Sequence, residues 1–384
     1  MLLTLGNPRM KLLHIATDEK FIDGAIDQFA WYEKVESHFF VCCPKENAKY
    51  IRSTAPNVSF YDNATALVDA INATDADFVM LHSLCIDYMQ LLRIRHRIIW
   101  KIWGYDFYSD KYDRIQRVKS LDLYGPKTRK QTTSKKMRRK RFMRSVAGLF
   151  GIKNDRQKQY DMLVSKIEYI APVFEEEYEI AKKRFPHLKY CPFQYFSSGK
   201  NNQVFQDLSF ESPYSIFVGN SLDPTNNHLD ILKKLDGLHR AVQVIMPISY
   251  SGNPAYKEYL KAGCAGLKNV DVRFLESFMP RSEYFKLAAT CPFAIYGHLR
   301  QQAAGNIGQM LKDGVKVFLY KGSINYEYYS SHGYKVFTIE DDLNEENLRE
   351  PLAKEYVLQN RKAYSTFENP ETYAEIMKSF WDKI

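Results

Sequence analysis

Apolar runs of about five to seven residues recur along the chain, separated by stretches long enough to form helices. In the first half they lie at 11–16, 37–43, 77–82, 97–103 and 167–171, and in the second half at 214–218, 241–246, 269–274, 292–296, 315–320 and 334–338. Apolar runs that alternate with helix-length segments are typical of parallel strands covered by helices on both faces. The pattern therefore predicts an α/β protein.

The alternation breaks at about 197–212, where the chain is polar and lacks periodicity. At 384 residues the chain exceeds the usual size of one core, so two domains are expected. We predict two Rossmann-like, doubly wound domains, 10–196 and 213–384, facing each other across a cleft. Helices are expected at 175–184, at about 344–362 and at 370–382, and the last of these can cross back over the first domain. In such folds a ligand binds at the carboxyl ends of the strands.

A basic insert, at about 109–165, interrupts the first domain. Ten Lys or Arg and no acid lie between Lys127 and Arg144, so the rest of a chain of net charge +9 carries −1. The centre of this cationic run comprises Lys135, Lys136, Arg138, Arg139, Lys140 and Arg141, and apolar residues such as Phe142 and Phe150 follow it. A cationic stretch with an apolar continuation predicts contact with an anionic membrane surface. A solvated charged loop is the alternative, and nucleic acid is disfavoured because no nucleic-acid-binding motif accompanies the run.

Two classes of feature are missing from the sequence. No apolar run reaches the length of a membrane span, and no signal peptide begins the chain, so we expect a cytoplasmic protein. The six cysteines show no metal-binding spacing, and Asp75 and Asp77 precede a strand, where a turn or capping role is favoured. We therefore predict a reducing compartment and no metal.

Two turns in the second half have the composition of anion sites. The run 214–218 ends in Gly219, Asn220 and Ser221 and leads to a helix from about Asn226. The run 292–296 continues through Arg300, Gln301 and Gln302 to Gly305 and Asn306 at a second helix start. Glycine allows close approach of the backbone, a helix N-terminus attracts anions and arginine adds a forked cation. One such turn is more often plain loop geometry, but two in one domain favour a phosphate site.

This architecture is that of a two-domain GT-B glycosyltransferase, and five ordered blocks make the likeness more specific. They are Trp103 to Tyr108, Val218 to His228, Met246 to Tyr256, Arg300 to Asn306, and Asp341 to Asn344. In these blocks the chain resembles the TDP-N-acetylfucosamine:lipid II N-acetylfucosaminyltransferase family of enterobacterial common antigen synthesis. The likeness is strongest over roughly 214–344.

The resemblance implies a dTDP-4-acetamido-4,6-dideoxygalactose donor, a polyprenyl-diphosphate-linked saccharide acceptor, a peripheral position on the inner face of the inner membrane, and no metal or other cofactor. It also suggests that Asn325 and Tyr326 contact the nucleoside or sugar, with a surface helix start as the competing view. The family has a glycine-rich pattern where this chain has Ala303 and Ala304, which leaves the donor sugar open. The longer basic insert leaves the acceptor open, including glycans of O-antigen or capsule assembly.

Glycosyl transfer also needs stabilisation of the departing diphosphate and, if the stereochemistry inverts, a base. We assign the diphosphate to Gly219, Asn220, Ser221, Arg300 and the turn at Gly305 and Asn306. Asp106, surrounded by aromatic residues after the run 97–103, is the first candidate base. Its alternative role is a loop carboxylate bonded to nearby amides. His82, at the end of the run 77–82, is the second candidate and is equally suited to packing or hydrogen bonding.

Two other classes of protein were weighed against the transferase. A sugar-nucleotide epimerase or dehydrogenase is disfavoured because no GxGxxG motif follows the first predicted strand, where such enzymes bind their dinucleotide. A non-catalytic lipid- or polyanion-binding protein is supported by the basic run alone.

Overall fold

The computed structural model describes residues 10–32, 34–108, 123–132, 155–195, 208, 210, 215–367 and 369–384. Grouped by their contacts, these residues fall into two compact units. The first unit takes in those within 1–116, 147–200 and 370–384, and the second unit takes in those within 117–146 and 201–369.

The described chain alternates strands with helices throughout. The strands are β1 (Met10–Ala16), β2 (Val35–Cys42), β3 (Val58–Tyr61), β4 (Phe78–His82), β5 (Arg97–Lys101), β6 (Ile167–Ala171), β7 (Lys189–Tyr190), β8 (Ser215–Val218), β9 (Val242–Pro247), β10 (Val270–Leu275), β11 (Phe293–Tyr296), β12 (Lys316–Leu319) and β13 (Phe337–Thr338). The helices are α1 (Ile22–Phe29), α2 (Ala64–Ala73), α3 (Tyr88–Leu92), α4 (Pro126–Thr132), α5 (Asp155–Lys166), α6 (Glu176–Arg184), α7 (His228–Asp236), α8 (Pro254–Cys264), α9 (Arg281–Ala288), α10 (Ala304–Lys312), α11 (Ile324–Ser331), α12 (Lys354–Phe367) and α13 (Pro370–Trp381). Short 3₁₀ turns occur at Lys45–Asn47 and Pro224–Asn226.

The first unit is a parallel sheet in the order β3-β2-β1-β4-β5-β6-β7. Every residue of β4 is buried, as expected for a central strand that helices cover on both faces. One face of the sheet packs on α1 and on the final helix α13, where Phe29, Tyr373 and Met377 join the same core.

The second unit is a parallel sheet in the order β10-β9-β8-β11-β12-β13. Its central strands β11 and β12 are buried along their whole length. The amphipathic helix α7 covers one face through Leu229, Ile231, Leu232 and Leu235. Burial of these apolar side chains is the main favourable term in holding helix to sheet.

Both sheets share one topological feature that determines where a ligand can bind. In each, the chain winds outward from a central pair of strands, β1 and β4 in the first unit and β8 and β11 in the second. The loops that follow such a pair diverge to opposite faces and leave a crevice at the carboxyl ends of the strands. The predicted α/β class is therefore confirmed, and it locates one candidate crevice in each unit.

Two predictions of individual elements were incomplete or wrong. Strand β3 was not predicted, because it is a four-residue, partly exposed strand at the sheet edge with little apolar periodicity. The helix predicted at about 344–362 begins only at Lys354, and turns and bends occupy 344–350 before it. Pro351 explains the late start, since proline and the residue before it disfavour the helix interior.

The domain boundaries remain a prediction, but two segments have clear contacts. Helix α13 packs on the core of the first unit. Helix α4, from the basic insert, contacts α7 and α8 of the second unit.

Candidate functional site

In the second unit, the turn after β8 is shaped by a left-handed glycine. Gly219 has φ of +73°, and a Cβ placed there would lie 2.7 Å from Asn226 Oδ1. The same oxygen accepts a hydrogen bond from the Asn220 N–H at 3.0 Å, and the Gly219 N–H donates to Ile295 O at 2.9 Å. Free backbone N–H groups at this turn would suit an anion. The structure pairs both of these amides internally, so the turn presents side chains and a close backbone instead.

A buried polar floor lies beneath this turn. His298, which follows β11, bonds through Nε2 to Asn226 Oδ1 at 2.9 Å, and both side chains are fully buried. Burial holds the pKa of His298 well below its ordinary value and lowers that of His228 to about 4, because a charged imidazole is penalised away from water. Ser221 belongs to the same floor, and its Oγ accepts from Asn226 Nδ2 at 3.2 Å. Neutral groups therefore tie the ends of the two central strands together.

The second predicted turn leads to an open helix N-terminus. Ala303 adopts a left-handed φ of 62° directly before α10, and no side chain caps the helix. A Cβ added to Gly305, in the first turn of α10, would meet no atom within 4 Å. The Arg300 guanidinium is half-buried and donates to Gln301 O at 3.0 Å. An uncapped helix start with open space and a nearby arginine has the composition of an anion site.

Several predicted donor-site residues are joined by hydrogen bonds. Gln302 Nε2 lies 3.4 Å from Asn220 Oδ1, and Gln302 O accepts from Asn325 Nδ2 at 3.0 Å. The Asn325 side chain is fully buried, and its Oδ1 has no hydrogen-bond partner in the described part of the chain. An unpaired buried acceptor is costly, so a ligand donor would be stabilised there.

The remaining predicted residues occupy different surroundings. Asn306 donates to the Tyr284 hydroxyl at 2.9 Å, and Gln301 is buried beside Arg300. Tyr326 is half-buried in the first turn of α11, where its N–H bonds to the capping Ser323 Oγ.

In the first unit, Asp106 lies in the loop after β5 as a buried, fully bonded carboxylate. It accepts from Trp100 Nε1 at 2.8 Å, from the Trp103 N–H at 2.9 Å and from the Leu84 N–H at 3.1 Å. Burial raises the pKa of this carboxyl, and the three N–H donors oppose that rise. These contacts match the loop-carboxylate alternative, because the donors hold the loop in one shape.

His82, at the end of β4, belongs to a buried chain of polar side chains. Its Nε2 bonds to His14 Nδ1 at 2.9 Å, and its Nδ1 bonds to the Tyr195 hydroxyl, which also accepts from Trp103 Nε1 at 2.9 Å. Burial and the neighbouring Lys101 lower the pKa of His82 to about 3. The arrangement that uses the Tyr195 proton makes His82 accept at Nδ1 and donate at Nε2, so both nitrogens are occupied.

Exposed aromatic side chains surround this edge of the first sheet. Phe21 lies 5.6 Å from Tyr195 and 6.0 Å from Trp103, measured between ring centroids. Tyr105 is 54% exposed and bonds through its hydroxyl to Ser83 Oγ at 2.7 Å. Aromatic faces flanked by hydroxyl groups are suited to the apolar faces and hydroxyls of a sugar ring.

A buried lysine near the hydrogen-bonded side chains around His82 was not predicted from the sequence. Lys101, the last residue of β5, is fully buried and donates to Pro172 O at 2.8 Å and to Phe193 O at 2.9 Å. Burial lowers its pKa to about 7, and the nearby Glu177 opposes that shift. A lysine inside an apolar strand gives no sequence signal of such carbonyl partners, which lie 71 and 92 residues away.

Other predictions concern the basic run and metals. The six central cations from Lys135 to Arg141 lie outside the described residues. No helix of the described ranges is both long and apolar enough to cross a bilayer. Among the same residues, no His, Cys, Asp or Glu side chains form a group of three that could hold a metal.

The fold is similar to several solved glycosyltransferases. HepE from Anabaena, solved in complex with UDP and glucose, matches with a TM-score of 0.60 and 12% identity over 98% of this chain and 100% of its own. Sucrose-phosphate synthase from Thermosynechococcus elongatus matches with a TM-score of 0.60 and 8% identity over 98% of this chain and 99% of its own. The lipopolysaccharide outer core galactosyltransferase WaaB, in its apo form, matches with a TM-score of 0.50 and 10% identity over 97% and 96% of the two chains. These neighbours define a GT-B fold.

The protein is a glycosyltransferase, because its sequence matches a glycosyltransferase family over more than half of its length. The model of the 4-alpha-L-fucosyltransferase family, glycosyl transferase group 56, matches residues 176–380. The chain belongs to this family, and the resemblance inferred from the ordered sequence blocks is confirmed at that level.

Proposed function

We propose that this glycosyltransferase moves a 4-acetamido-4,6-dideoxygalactose unit from a dTDP-sugar to a polyprenyl-diphosphate-linked saccharide in bacterial cell-surface polysaccharide synthesis. The fucosyltransferase description of the family supports a 6-deoxygalactose skeleton in the donor. The observation that carries the proposal is the open, uncapped start of α10 beside Arg300 at the switch point of the second sheet. That position is where doubly wound folds bind nucleotides.

We assign the donor to one set of side chains in the second unit. Arg300 and the first turn of α10, at Gly305 and Asn306, bind the diphosphate, because cation and helix N-terminus both favour negative charge. Gly219, Asn220 and Ser221 contribute to the same diphosphate site. The rest of the donor contacts Gln301, Gln302, Asn325 and Tyr326. In this assignment the unpaired Asn325 Oδ1 accepts from the nucleoside or sugar.

Titration calorimetry with dTDP, UDP, GDP and their sugars tests the donor assignment. We expect dTDP to bind with the lowest Kd and the dTDP-linked acetamido sugar to be the donor that turns over. Titration in EDTA should leave the affinity unchanged, since the proposed site uses no metal. Absence of dTDP binding would contradict the proposal.

The transfer itself forms one bond and breaks another. The acceptor hydroxyl oxygen bonds to the anomeric carbon, the bond from that carbon to the diphosphate oxygen breaks, and the hydroxyl proton passes to a base. We propose that Phe21, Trp103 and Tyr105 bind the acceptor saccharide, because Phe21 and Tyr105 are exposed and the half-buried Trp103 lies beside Phe21.

Asp106 and His82 are the two candidate bases, and their contacts suggest how to separate them. Asp106→Asn keeps the size of the side chain but replaces one acceptor oxygen with an amide group. The substitution therefore destabilises the loop and also removes any base at this position. His82→Gln interrupts the bonds to His14 and Tyr195. A base variant loses the acidic limb of the pH profile of kcat. If the profile persists and only the thermal midpoint falls, the residue is structural.

We propose that the cations Lys135, Lys136, Arg138, Arg139, Lys140 and Arg141 hold the protein peripherally on the cytoplasmic face of the inner membrane. Each cation near an anionic leaflet contributes about 1 kcal/mol, and salt screens the attraction. Replacing all six by Gln should release the protein from phosphatidylglycerol vesicles in a sedimentation assay. Retention of the variant, or failure of the unaltered protein to sediment, would contradict this anchor. We expect no comparable binding to duplex DNA or RNA.

A second donor class has one observation in its favour. HepE, the structural neighbour named above, was solved with UDP and glucose, and this chain departs from the expected glycine-rich pattern at Ala303 and Ala304. A UDP-sugar transferase of O-antigen or capsule assembly is therefore the alternative. Tighter binding of UDP than of dTDP in the calorimetric panel would favour it.

A further inference from the structure

The described start of the basic segment, residues 123–132, is bound to the second unit through Asn227. Asn227 Oδ1 accepts from the Gly125 N–H at 2.8 Å, and Asn227 Nδ2 lies 3.2 Å from Leu123 O. Asn227 is fully buried and has a left-handed φ of 53°. A buried amide that bonds the backbone of a distant segment at two points fixes the position of that segment.

A second side chain, Asp230, binds the same segment one helical turn further on. Its carboxylate accepts from the N–H groups of Lys127 and Thr128 at 2.8 and 3.0 Å, and from the Thr128 hydroxyl at 2.7 Å. The acid thus serves as the N-terminal cap of α4 from another element, where negative charge is stabilised. A Cβ added to Gly125 would lie 2.5 Å from Asp230 Cγ. This docking therefore depends on glycine at position 125.

The residues that hold the segment also hold the phosphate turns. Asn227 Nδ2 donates to Gly297 O at 2.6 Å, directly before His298. The adjacent Asn226 accepts from the Asn220 N–H and from His298 Nε2. One dipeptide, Asn226 and Asn227, therefore joins the docked segment on one side and the floor of the proposed diphosphate site on the other.

We propose that Asn227 and Asp230 are positioning residues that couple the docking of residues 123–132 to the order of the turn at Gly219 and Asn220. The inference deepens the proposed function, on which it rests for the ligand of that turn. Because coupling is reciprocal, a ligand that orders the turn also stabilises the docked segment, and undocking weakens the ligand. In the sequence, Lys127, Arg129 and Lys130 of the basic run lie within this segment, and the six central cations follow it from Lys135.

Hydrogen exchange measured by mass spectrometry on the full chain tests this coupling without any ligand. Gly125→Ala, which displaces Asp230, should speed exchange about tenfold or more in peptides covering 123–132 and also in those covering 219–228, as expected for one cooperative opening unit. Asp230→Asn should have the same effect in smaller degree. This variant replaces Gly125→Ala in the experiment if Gly125→Ala folds poorly. Lys233→Gln, an exposed change on the same helix, is the matched control and should leave both peptides unchanged.

Addition of dTDP supplies the reciprocal measurement. In the unaltered protein dTDP should slow exchange at 123–132, and in Gly125→Ala its Kd should rise about fivefold or more. Faster exchange at 123–132 with 219–228 unchanged would overturn the coupling, and unchanged exchange at 123–132 in both variants would overturn the docking. Failure of the unaltered protein to bind dTDP contradicts the proposed donor instead, and the ligand-free exchange comparison still decides the coupling.

Discussion

The two units share a strand order but use the crevice at their switch points differently. In the first unit, the buried histidines His14 and His82 are hydrogen-bonded to each other, and further hydrogen bonds link His82 to Tyr195 and Tyr195 to Trp103. In the second unit, His298 bonds to Asn226, beneath a left-handed glycine turn and beside an uncapped helix. The first crevice has a closed polar interior with aromatic side chains at its edge. The second has an uncapped helix start and a half-buried arginine. Units of similar topology therefore differ in the residues at their strand ends, and those residues decide the chemistry of each crevice.

Acidification should have the largest effect, because buried neutral histidines support both crevices. The pKa of His82 is lowered to about 3 and that of His228 to about 4, whereas an unfolded histidine titrates near about 6.5. Below that value the unfolded chain binds more protons, so stability is lost as pH falls from about 6.5 toward the folded values. Between about pH 6.5 and 4.5 each histidine should cost about 2–3 kcal/mol, measurable as the free energy of unfolding in urea.

Substitution of either histidine tells which crevice dominates this loss. His82→Gln and His228→Gln should each lower stability at pH 7 but flatten the dependence on pH in that window. If the free energy of unfolding of one variant depends on pH as steeply as that of the unaltered protein, the histidine of that crevice does not cause the loss of stability.

The open character of the second crevice can be tested with two glycines of opposite character. Gly219→Ala should cost about 2–4 kcal/mol of unfolding free energy, because it strains a left-handed residue and displaces the buried Asn226 amide. The methyl group added by Gly305→Ala lies in open space. Because alanine favours a helix more than glycine does, this variant should stabilise the fold by about 0.5–1 kcal/mol. Both should weaken dTDP binding if the phosphate approaches both turns. A Gly305→Ala protein that binds dTDP normally would exclude close approach at α10.

Arg300→Ala should weaken dTDP binding by about 1.5–3 kcal/mol, the range for a hydrogen bond to a charged group. Folding should change little, because within the described part of the chain the half-buried guanidinium donates to the neighbouring Gln301 carbonyl alone. Arg349→Ala, an exposed arginine of the same unit, is the control in the same calorimetric titration. If the two variants bind dTDP with equal affinity, Arg300 does not belong to the donor site. The start of α10 would then be the remaining candidate for binding the diphosphate.

Much of the fold was predictable from local pattern, because buried parallel strands are continuous apolar runs. Strands β4, β11 and β12 are examples, and each was predicted within two residues of its ends. Strand β3 was missed because edge strands lack that signal. The sequence also indicated the turns after β8 and β11 as candidate sites, since glycine and polar residues follow those strands.

The interior of the sites was not predictable, because its bonds join residues far apart in the chain. Asn226 and His298 meet across 72 residues. The donors to Asp106 come partly from Leu84, on a different loop. Docking of α4 on Asp230 spans 103 residues. Pairings of this kind depend on the three-dimensional arrangement, which composition and periodicity do not encode.

The packing of α13 on the first unit has a consequence for synthesis on the ribosome. Tyr373, Met377 and Trp381 complete a core whose other buried members, between Leu12 and Phe193, leave the ribosome about 180 or more residues earlier. The second unit ends at Asn369, before α13, and its buried residues include Ala363 of α12. We therefore expect the second unit to close first during translation, while the nascent first unit exposes an apolar face that chaperones can bind until the last helix emerges.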